Sequence, residues 1–271
     1  MNKTKIEWCD STWNPVTGCF HRCGYCYARS IAGRFGGRWD DSSSRSKGGD
    51  GSIHTIDEPL MRHTTGKNRS SGVKSELAPY PFGFDPTFHR YRLDEPARKT
   101  KGQTIFVCSM ADLFGKWVPT KWIVEVLDAC RKAPQHRYLF LTKNPKRYME
   151  LERLALLPHE DNFWFGSTVT TGSDPAAWMR DMGCHWFISV EPLLGPVDLT
   201  AGTGPMPEWV IIGAETGNRK EKAAPDYEWV RNIVSDCKTF GIPVFMKDSM
   251  KDIWMQGLIT EFPWEGGGAD V

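Results

Sequence analysis

Hydrophobic and polar positions follow a regular order from about residue 100 to the C-terminus. Six short apolar runs, most of them ending in polar residues, lie at 104–109, 137–142, 163–168, 185–190, 209–213 and 243–247. Near-continuous apolar runs of this length predict parallel strands that are buried on both faces. One further strand is expected around residues 13–16, which brings the predicted number to about six or seven.

The stretches between these runs carry apolar residues at helical spacing. The clearest begins at Thr120, a predicted N-cap, and repeats apolar residues every three or four positions as far as Cys130. Other helices are predicted after residue 26 with a stop at Gly36, from about 144 to 151, near 174–182, and from about 226 to 240.

Strands that alternate with helices predict an α/β fold, because each connection between parallel strands must cross back over one face of the sheet. Right-handed crossovers would curve these strands into a partial or near-complete (β/α) barrel. We expect the whole chain, residues 1–271, to form this single domain.

Residues 37–100 interrupt the alternation and predict an irregular, polar and basic insertion after the first helix. Serine and glycine dominate residues 42–51, a composition typical of flexible segments. From Leu60 to Lys101, nine Lys and Arg stand against four Asp and Glu, and aromatic residues lie among them. This segment either forms a surface for phosphates and bases or packs its aromatic residues onto the barrel.

Composition and charge narrow the class of protein. The net charge is +1 and 40% of the residues are hydrophobic, as in ordinary globular proteins, so overall charge does not indicate a nucleic-acid partner. No apolar run approaches the roughly 20 residues that cross a bilayer, and the N-terminus does not resemble a secretory signal. We therefore expect a cytoplasmic protein without a membrane partner, in which the eight cysteines form no disulfide framework.

Three cysteines form the most informative motif, Cys19, Cys23 and Cys26, with the spacing C-x3-C-x2-C. Three thiolates on one short loop can share a metal centre and leave one coordination position open for another ligand. A structural zinc ion is the alternative, with His21 or Cys9 as a fourth ligand. Zinc sites usually draw ligand pairs from two separate segments, and the sequence has no second C-x2-C or H-x3-H pair.

Polar residues follow the predicted strands. In a parallel α/β barrel the functional groups collect at the carboxyl ends of the strands, and the cysteine loop follows the first of these ends. The corresponding residues after the other strands are Ser109, Asp112, Thr142, Lys143, Ser167, Thr168, Glu191, Glu215 and Lys247. Singly, each could cap a helix or hold a loop. Together they predict one polar pocket beside the metal centre.

The cysteine loop, which follows a first strand and opens a helix, resembles that of the radical S-adenosylmethionine (SAM) superfamily. Five stretches are similar to a phage- and prophage-associated branch of uncertain function: residues 6–18, 106–114, 141–145, 190–196 and 210–217. The resemblance covers most of the chain and fails mainly over residues 37–80 and the last few residues.

The resemblance implies a [4Fe–4S] cluster held by the three cysteines, SAM bound at its open iron, and an external electron donor such as flavodoxin or ferredoxin. Reductive cleavage of SAM would produce a radical that abstracts a hydrogen from the substrate. The implied SAM ligands are Tyr25 at the adenine, hydroxyls such as those of Ser109 and Thr142 together with Asp112 at the ribose and ammonium, and Lys143, Ser167 or Thr168 at the carboxylate. Glu191, Glu215 and Lys247 are expected to face the substrate as catalytic residues.

The leading substrate hypothesis is a nucleobase or nucleotide in DNA, such as a hypermodified thymine. It depends on the basic and aromatic insertion and on the phage association that the resemblance implies. A peptide or small metabolite is an alternative substrate. An alternative function is a zinc-containing nucleic-acid-binding accessory protein without catalysis.

Overall fold

The computed structural model describes residues 1–36, 51–65, 73–174, 182–201, 205–216 and 222–265. The strands, in chain order, are β1 (Asn2–Lys3), β2 (Ser11–Trp13), β3 (Val16–Thr17), β4 (His54–Ile56), β5 (Met61–Thr65), β6 (Val73–Leu77), β7 (Thr87–His89), β8 (Thr104–Val107), β9 (Arg137–Thr142), β10 (Phe163–Thr168), β11 (His185–Val190), β12 (Val210–Ile212) and β13 (Val244–Met246). The α-helices are α1 (Tyr27–Phe35), α2 (Thr120–Arg131), α3 (Lys146–Arg153) and α4 (Tyr227–Phe240).

Eight strands form the main sheet, in the order β1-β2-β8-β9-β10-β11-β12-β13. Every neighbouring pair from β2 to β13 is parallel, and β1 adds an antiparallel edge. The predicted α/β class with about six or seven parallel strands is therefore confirmed. The sheet is open, because among the described residues no pairing joins β1 to β13.

Successive residues of each strand point to opposite sides of the sheet and contribute to two different cores. On one side, Ile105, Tyr138 and Phe165 share a buried core with residues of α2, α3 and α4; we call this side the helix face. On the other side, Phe106 and Trp164 belong to a second, aromatic core, and we call this side the cleft face.

The C-terminal segment packs against the aromatic core of the cleft face. The partly buried residues Phe262 and Trp264 contact this core, and the indole nitrogen of Trp209 donates a hydrogen bond to the Glu261 carbonyl at 2.9 Å. Removing this much aromatic surface from water stabilises the fold, and it fills the cleft face beneath the carboxyl ends of the strands.

The helix boundaries follow local chemistry. The side chain of Asp226 accepts a hydrogen bond from the Glu228 amide at 2.7 Å and caps α4, and Gly241, with a φ of 66°, is the C-cap. Glycine suits that left-handed position because it has no Cβ. The predicted cap at Thr120 is displaced by one residue, since Pro119 is the N-cap of α2 and the Thr120 hydroxyl accepts a hydrogen bond from Arg147.

The insertion at 37–100 contains short strands, so the prediction of an irregular segment is wrong in this part of the chain. β7 pairs with β3 and β4, and β5 forms a hairpin with β6. Phe88 on β7 is fully buried and stacks on Trp122 of α2 with ring centroids 5.3 Å apart. The sequence does not reveal β4 and β7, because strands of three residues are too short to show alternation of apolar and polar positions. The pairing of β7 with β3 also joins segments that lie about 70 residues apart.

The helix predicted near 174–182 falls mostly on residues 175–181, which lie outside the described residues. In the part of the chain that the structure describes, no helix has the length and apolar character needed to cross a membrane.

Candidate functional site

One cleft lies on the cleft face at the carboxyl ends of the parallel strands and brings together most of the predicted site residues. It is lined by Cys19, Cys23 and Cys26 of the loop between β3 and α1. The predicted polar residues that also line it are Tyr25, Ser109, Asp112, Thr142, Lys143, Thr168, Glu191, Glu215 and Lys247. The expectation that strand-end residues and cysteines share one pocket is consistent with this arrangement.

The cysteine loop is shaped by contacts to its own sulfur atoms. Cys26 is the N-cap of α1, and its sulfur accepts a hydrogen bond from the Arg29 amide at 3.4 Å. The Cys19 sulfur accepts one from the His21 amide at 3.5 Å. Backbone amides of the loop and of the first turn of α1 thus hold two of the three sulfur atoms in place.

The start of the loop is attached to the rest of the chain through its backbone. The amide of Gly18 donates to the Met110 carbonyl at 2.9 Å, and the amide of Cys19 donates to the Phe84 carbonyl at 3.1 Å. Gly18 has a φ of 85°, and a Cβ there would lie 2.2 Å from the Asp85 carbonyl oxygen. Only glycine therefore allows the insertion to approach the loop this closely.

Burial affects the first cysteine in particular. Desolvation raises the pKa of the Cys19 thiol to about 12, and the nearby Asp112 carboxylate acts in the same direction. Metal ligation requires the thiolate, so a bound cationic centre has to supply the stabilisation that water does not provide here.

Asp112 is the most densely hydrogen-bonded side chain of the cleft. It is 5% exposed. One carboxylate oxygen accepts from the Phe114 amide at 3.0 Å and the Thr142 hydroxyl at 2.7 Å. The other accepts from the Lys143 amide at 3.0 Å and from Nε2 of His21 at 2.6 Å. Asp112 and Thr142 thus hold protein groups in the positions where the resemblance implied SAM contacts.

Ser109, in the turn after β8, is also hydrogen-bonded to other residues of the chain. Cys108, with a φ of 60°, turns the chain sharply at the end of the strand. The Ser109 hydroxyl donates to Asn14 at 3.2 Å, and its carbonyl accepts from the Tyr27 hydroxyl at 2.7 Å. The Ser109 carbonyl and hydroxyl are therefore both engaged within the protein.

Tyr25 and Lys143 interact with each other and lie near Cys23 in the cleft that Thr168 also lines. The Lys143 ammonium lies 5.4 Å from the centroid of the Tyr25 ring, a cation–π contact. Burial lowers the pKa of Lys143, while the neighbouring Cys23 and Asp112 oppose that shift. A lysine in this setting suits an anionic ligand group, since the carboxylate of such a ligand would compensate its lost hydration.

Ser167 is the one predicted site residue that does not line the cleft. It shares the helix face with Phe163 and Phe165, because side chains alternate along β10. Its hydroxyl is buried and has no hydrogen-bond partner among the described residues. Thr168, on the opposite side of the strand, lines the cleft instead.

The side of the cleft formed by β11, β12 and β13 carries a partly buried ion pair. The Lys247 ammonium contacts the Glu191 carboxylate, with side chains 15% and 24% exposed. Gly213 makes room for this pair, because a Cβ there would lie 3.0 Å from Lys247 and 3.1 Å from Glu191. Glu215 lies nearby in the lining, is 7% exposed and accepts a hydrogen bond from the Ala223 amide at 3.3 Å.

Several lining residues were not predicted. Ser189 shares the cleft face with Phe187, and strand alternation along β11 is the signal that indicates it. Trp8 lies in the lining beside Phe106, with ring centroids 4.7 Å apart. Nothing in the local sequence indicated that Trp8 faces this cleft. His21 was considered only as a zinc ligand.

The two possible fourth ligands of a zinc ion, His21 and Cys9, both make hydrogen bonds within the chain. Nε2 of His21 is engaged by Asp112 at 2.6 Å. The Cys9 thiol donates to the Ile6 carbonyl at 4.0 Å, and Cys9 is not part of the cleft lining. Among the described residues, no group of three or more His, Cys, Asp or Glu side chains is arranged to hold one metal ion.

The fold and the cleft define an α/β protein whose parallel sheet carries a cysteine-lined site at its carboxyl edge. The chain belongs to DUF5131, a family described as proteins of unknown function, whose model matches residues 3–256. No curated protein and no solved structure matches the chain.

Proposed function

We propose that this protein is a radical SAM enzyme in which Cys19, Cys23 and Cys26 hold a [4Fe–4S] cluster. One observation carries the proposal. The three cysteines line the same cleft as the polar residues at the carboxyl ends of the strands. The open sheet would then be the wall of a partial (β/α) barrel, with residues 37–100 inserted in a single domain.

The donor set fits an iron–sulfur cluster. All three candidate ligands are thiols, which iron–sulfur clusters use, and the loop between them contains no carboxylate. Each cysteine of a [4Fe–4S] cluster binds its own iron, so the sulfur atoms do not need to surround one point. The hydrogen bond from Nε2 of His21 to Asp112 favours three protein ligands over four.

When bound, the reduced cluster supplies the electron that cleaves SAM and generates a radical able to abstract a hydrogen atom. The protein's own residues bind and orient. Lys143 and Thr168, which line the same cleft, would bind the carboxylate of SAM, and Tyr25 would offer an aromatic surface to the adenine.

The substrate is assigned to the opposite side of the cleft, where the Glu191–Lys247 pair and Glu215 lie. A carboxylate and an ammonium in contact can exchange a proton with a substrate group as general base and acid. The proposed substrate is a nucleobase or nucleotide in DNA, with a peptide or small metabolite as the alternative. An external flavodoxin or ferredoxin would supply electrons in the cytoplasm.

The accessory-protein alternative depends on free basic residues in the insertion. Arg90 instead contacts Asp57 and Glu125, and Arg92 donates to the Asn14 carbonyl at 2.9 Å. These guanidinium groups are used within the chain, which does not favour a phosphate-binding role for this part of it.

The test is SAM cleavage by anaerobically reconstituted, reduced protein, measured as 5′-deoxyadenosine. Candidate nucleosides, oligonucleotides, peptides and amino acids are then offered in deuterated form. Transfer of deuterium into 5′-deoxyadenosine identifies the substrate. Absence of cleavage from a protein with a full cluster would contradict the proposed function, and transfer from a non-nucleotide alone would contradict the DNA proposal.

A further inference from the structure

The hydrogen bonds of Asp112 connect three separate elements of the site. Phe114 belongs to the turn that follows β8, while Thr142 and Lys143 lie at the end of β9. The fourth partner is His21, which lies midway between Cys19 and Cys23 on the cysteine loop. Asp112 thus joins the middle of the cysteine loop to the sheet, in addition to the backbone hydrogen bonds of Gly18 and Cys19 at its start.

The His21 ring is fixed from a second direction. It packs edge-on against Trp117 with ring centroids 4.8 Å apart, and the neighbouring Phe20 ring lies 5.5 Å from the same indole. The His21 side chain is only 23% exposed. A ring held by both an aromatic contact and a charge-assisted hydrogen bond has little freedom to move.

We propose that Asp112 is a positioning residue that holds the cysteine loop in its cluster-binding shape through His21, and not a ligand of SAM. Each carboxylate oxygen already accepts two hydrogen bonds, which uses the acceptor capacity of the group. The nature of the cluster rests on the proposed function, but the attachment of the loop does not. It is a property of the metal-free chain.

The four partners explain why a carboxylate is needed at this position. Two of them are backbone amides, Phe114 on one oxygen and Lys143 on the other. An asparagine would turn its NH₂ group towards one of these two donors, whichever way its amide is oriented. Asp112→Asn therefore breaks more than the contact to the loop, and His21→Phe is the sharper variant.

The experiment is hydrogen exchange of the metal-free protein, with the amides of residues 19–26 as the probe. His21→Phe keeps the ring against Trp117 and removes only the bond to Asp112. Loss of a charge-assisted hydrogen bond should accelerate exchange of the loop about tenfold or more, without a comparable change elsewhere. Asp112→Asn should accelerate it at least as much, and the double variant should exceed Asp112→Asn by little, because both changes remove the same bond.

Asp174→Asn is the matched control. Asp174 is another carboxylate near Lys143, and it accepts hydrogen bonds from the Thr170 hydroxyl and the Thr171 amide at 2.8 and 3.2 Å. It should leave exchange of residues 19–26 unchanged. After reconstitution, the His21→Phe cluster should also show an altered EPR spectrum when reduced, a readout that a purely structural role in the β8–β9 region would not change.

Three results would overturn the proposal: loop exchange in His21→Phe equal to that of the unmodified protein, an equal acceleration in Asp174→Asn, or an effect of Asp112→Asn that spares the loop. A protein that never assembles a cluster would instead contradict the proposed function. The exchange result in metal-free protein would still stand, so the two failures are distinguishable.

Discussion

The cleft and the insertion contain similar residue types but use them differently. In the cleft, the cysteines and the strand-end residues Lys143, Glu191 and Lys247 line one cavity. In the described part of the insertion, Phe88 and His89 are buried, and Arg90 pairs with carboxylates of the same chain. Position relative to the sheet edge, and not composition, separates these two sets of residues, although Phe84 of the insertion also lines the cleft.

The physical reason lies in topology. Parallel strands end at one edge, so residues that are distant in sequence converge there without needing contacts between them. A segment inserted between the first helix and β8 has no such edge. Its aromatic residues stabilise the fold by covering apolar surface, and its arginines pair with nearby carboxylates.

The largest effect is expected from the cysteines. Cys23→Ala should abolish both the iron–sulfur absorption and SAM cleavage, since a cluster with two remaining protein ligands is not retained. Cys130→Ala is the control, because Cys130 is buried on the helix face and should cost only about 1 kcal/mol of stability. Full cleavage activity in Cys23→Ala would show that the ligand assignment is wrong.

A change in the Glu191–Lys247 ion pair should lower turnover and leave the cluster intact. Glu191→Gln should keep the cluster and lower the rate of substrate conversion about a hundredfold, as loss of a general acid or base does. Glu208→Gln is the matched change, since Glu208 pairs with His185 at the amino end of β11. The rate is measured under saturating reductant. Equal rates in the two variants would remove Glu191 from the catalytic set.

The stability of the protein should depend on pH through His89 in the insertion. Burial, with a smaller contribution from Arg92, lowers the pKa of His89 to about 2 from 6.5. Between these values the unfolded chain binds a proton that the folded chain does not, so the free energy of unfolding falls as pH drops. For one group the slope is at most about 1.4 kcal/mol per pH unit.

Urea unfolding at several pH values between 6.5 and 5 measures this dependence. His89→Gln should flatten the curve relative to the unmodified protein, with the remaining carboxylates contributing equally to both. Identical slopes in the two proteins would mean that His89 is protonated in the fold, and that the insertion is less closely packed than the structure shows.

The smallest effect is expected on SAM affinity, from changes at Ser167 and Thr168, which are adjacent residues on opposite faces of β10. Thr168→Val should weaken SAM binding about fivefold to tenfold, the loss of one hydrogen bond, without changing stability much. Ser167→Ala should leave the affinity unchanged, because Ser167 lies on the helix face. Isothermal titration with SAM distinguishes them. A reversed order would contradict the assignment of faces.

Much of the fold could be predicted because the long apolar runs of the sequence form strands with nearly the same bounds. The predicted runs at 137–142, 163–168 and 185–190 coincide with β9, β10 and β11. The openness of the sheet could not be predicted, since it depends on how β1 and β13 end the pairing. The pairing of β3 with β7 was also beyond reach, because it joins segments of two or three residues.

The membership of the cleft was easier to predict than the role of each member. Strand ends indicated Asp112 and Thr142, but only the structure shows that they bond to each other. A hydrogen-bond partner depends on distances that spacing does not contain. Ser167 is different, because strict alternation from Phe163 assigns Ser167 to the helix face and Thr168 to the cleft face.

The central claim is that three cysteines hold a cluster with one iron open to SAM. The most direct measurement combines iron and sulfide analysis of the reconstituted chain with EPR of its reduced form, recorded with and without SAM. We predict about four iron and four sulfide per chain, and an EPR spectrum that changes when SAM is added. A colourless chain that retains one zinc ion, or a cluster spectrum that SAM leaves unchanged, would contradict the claim.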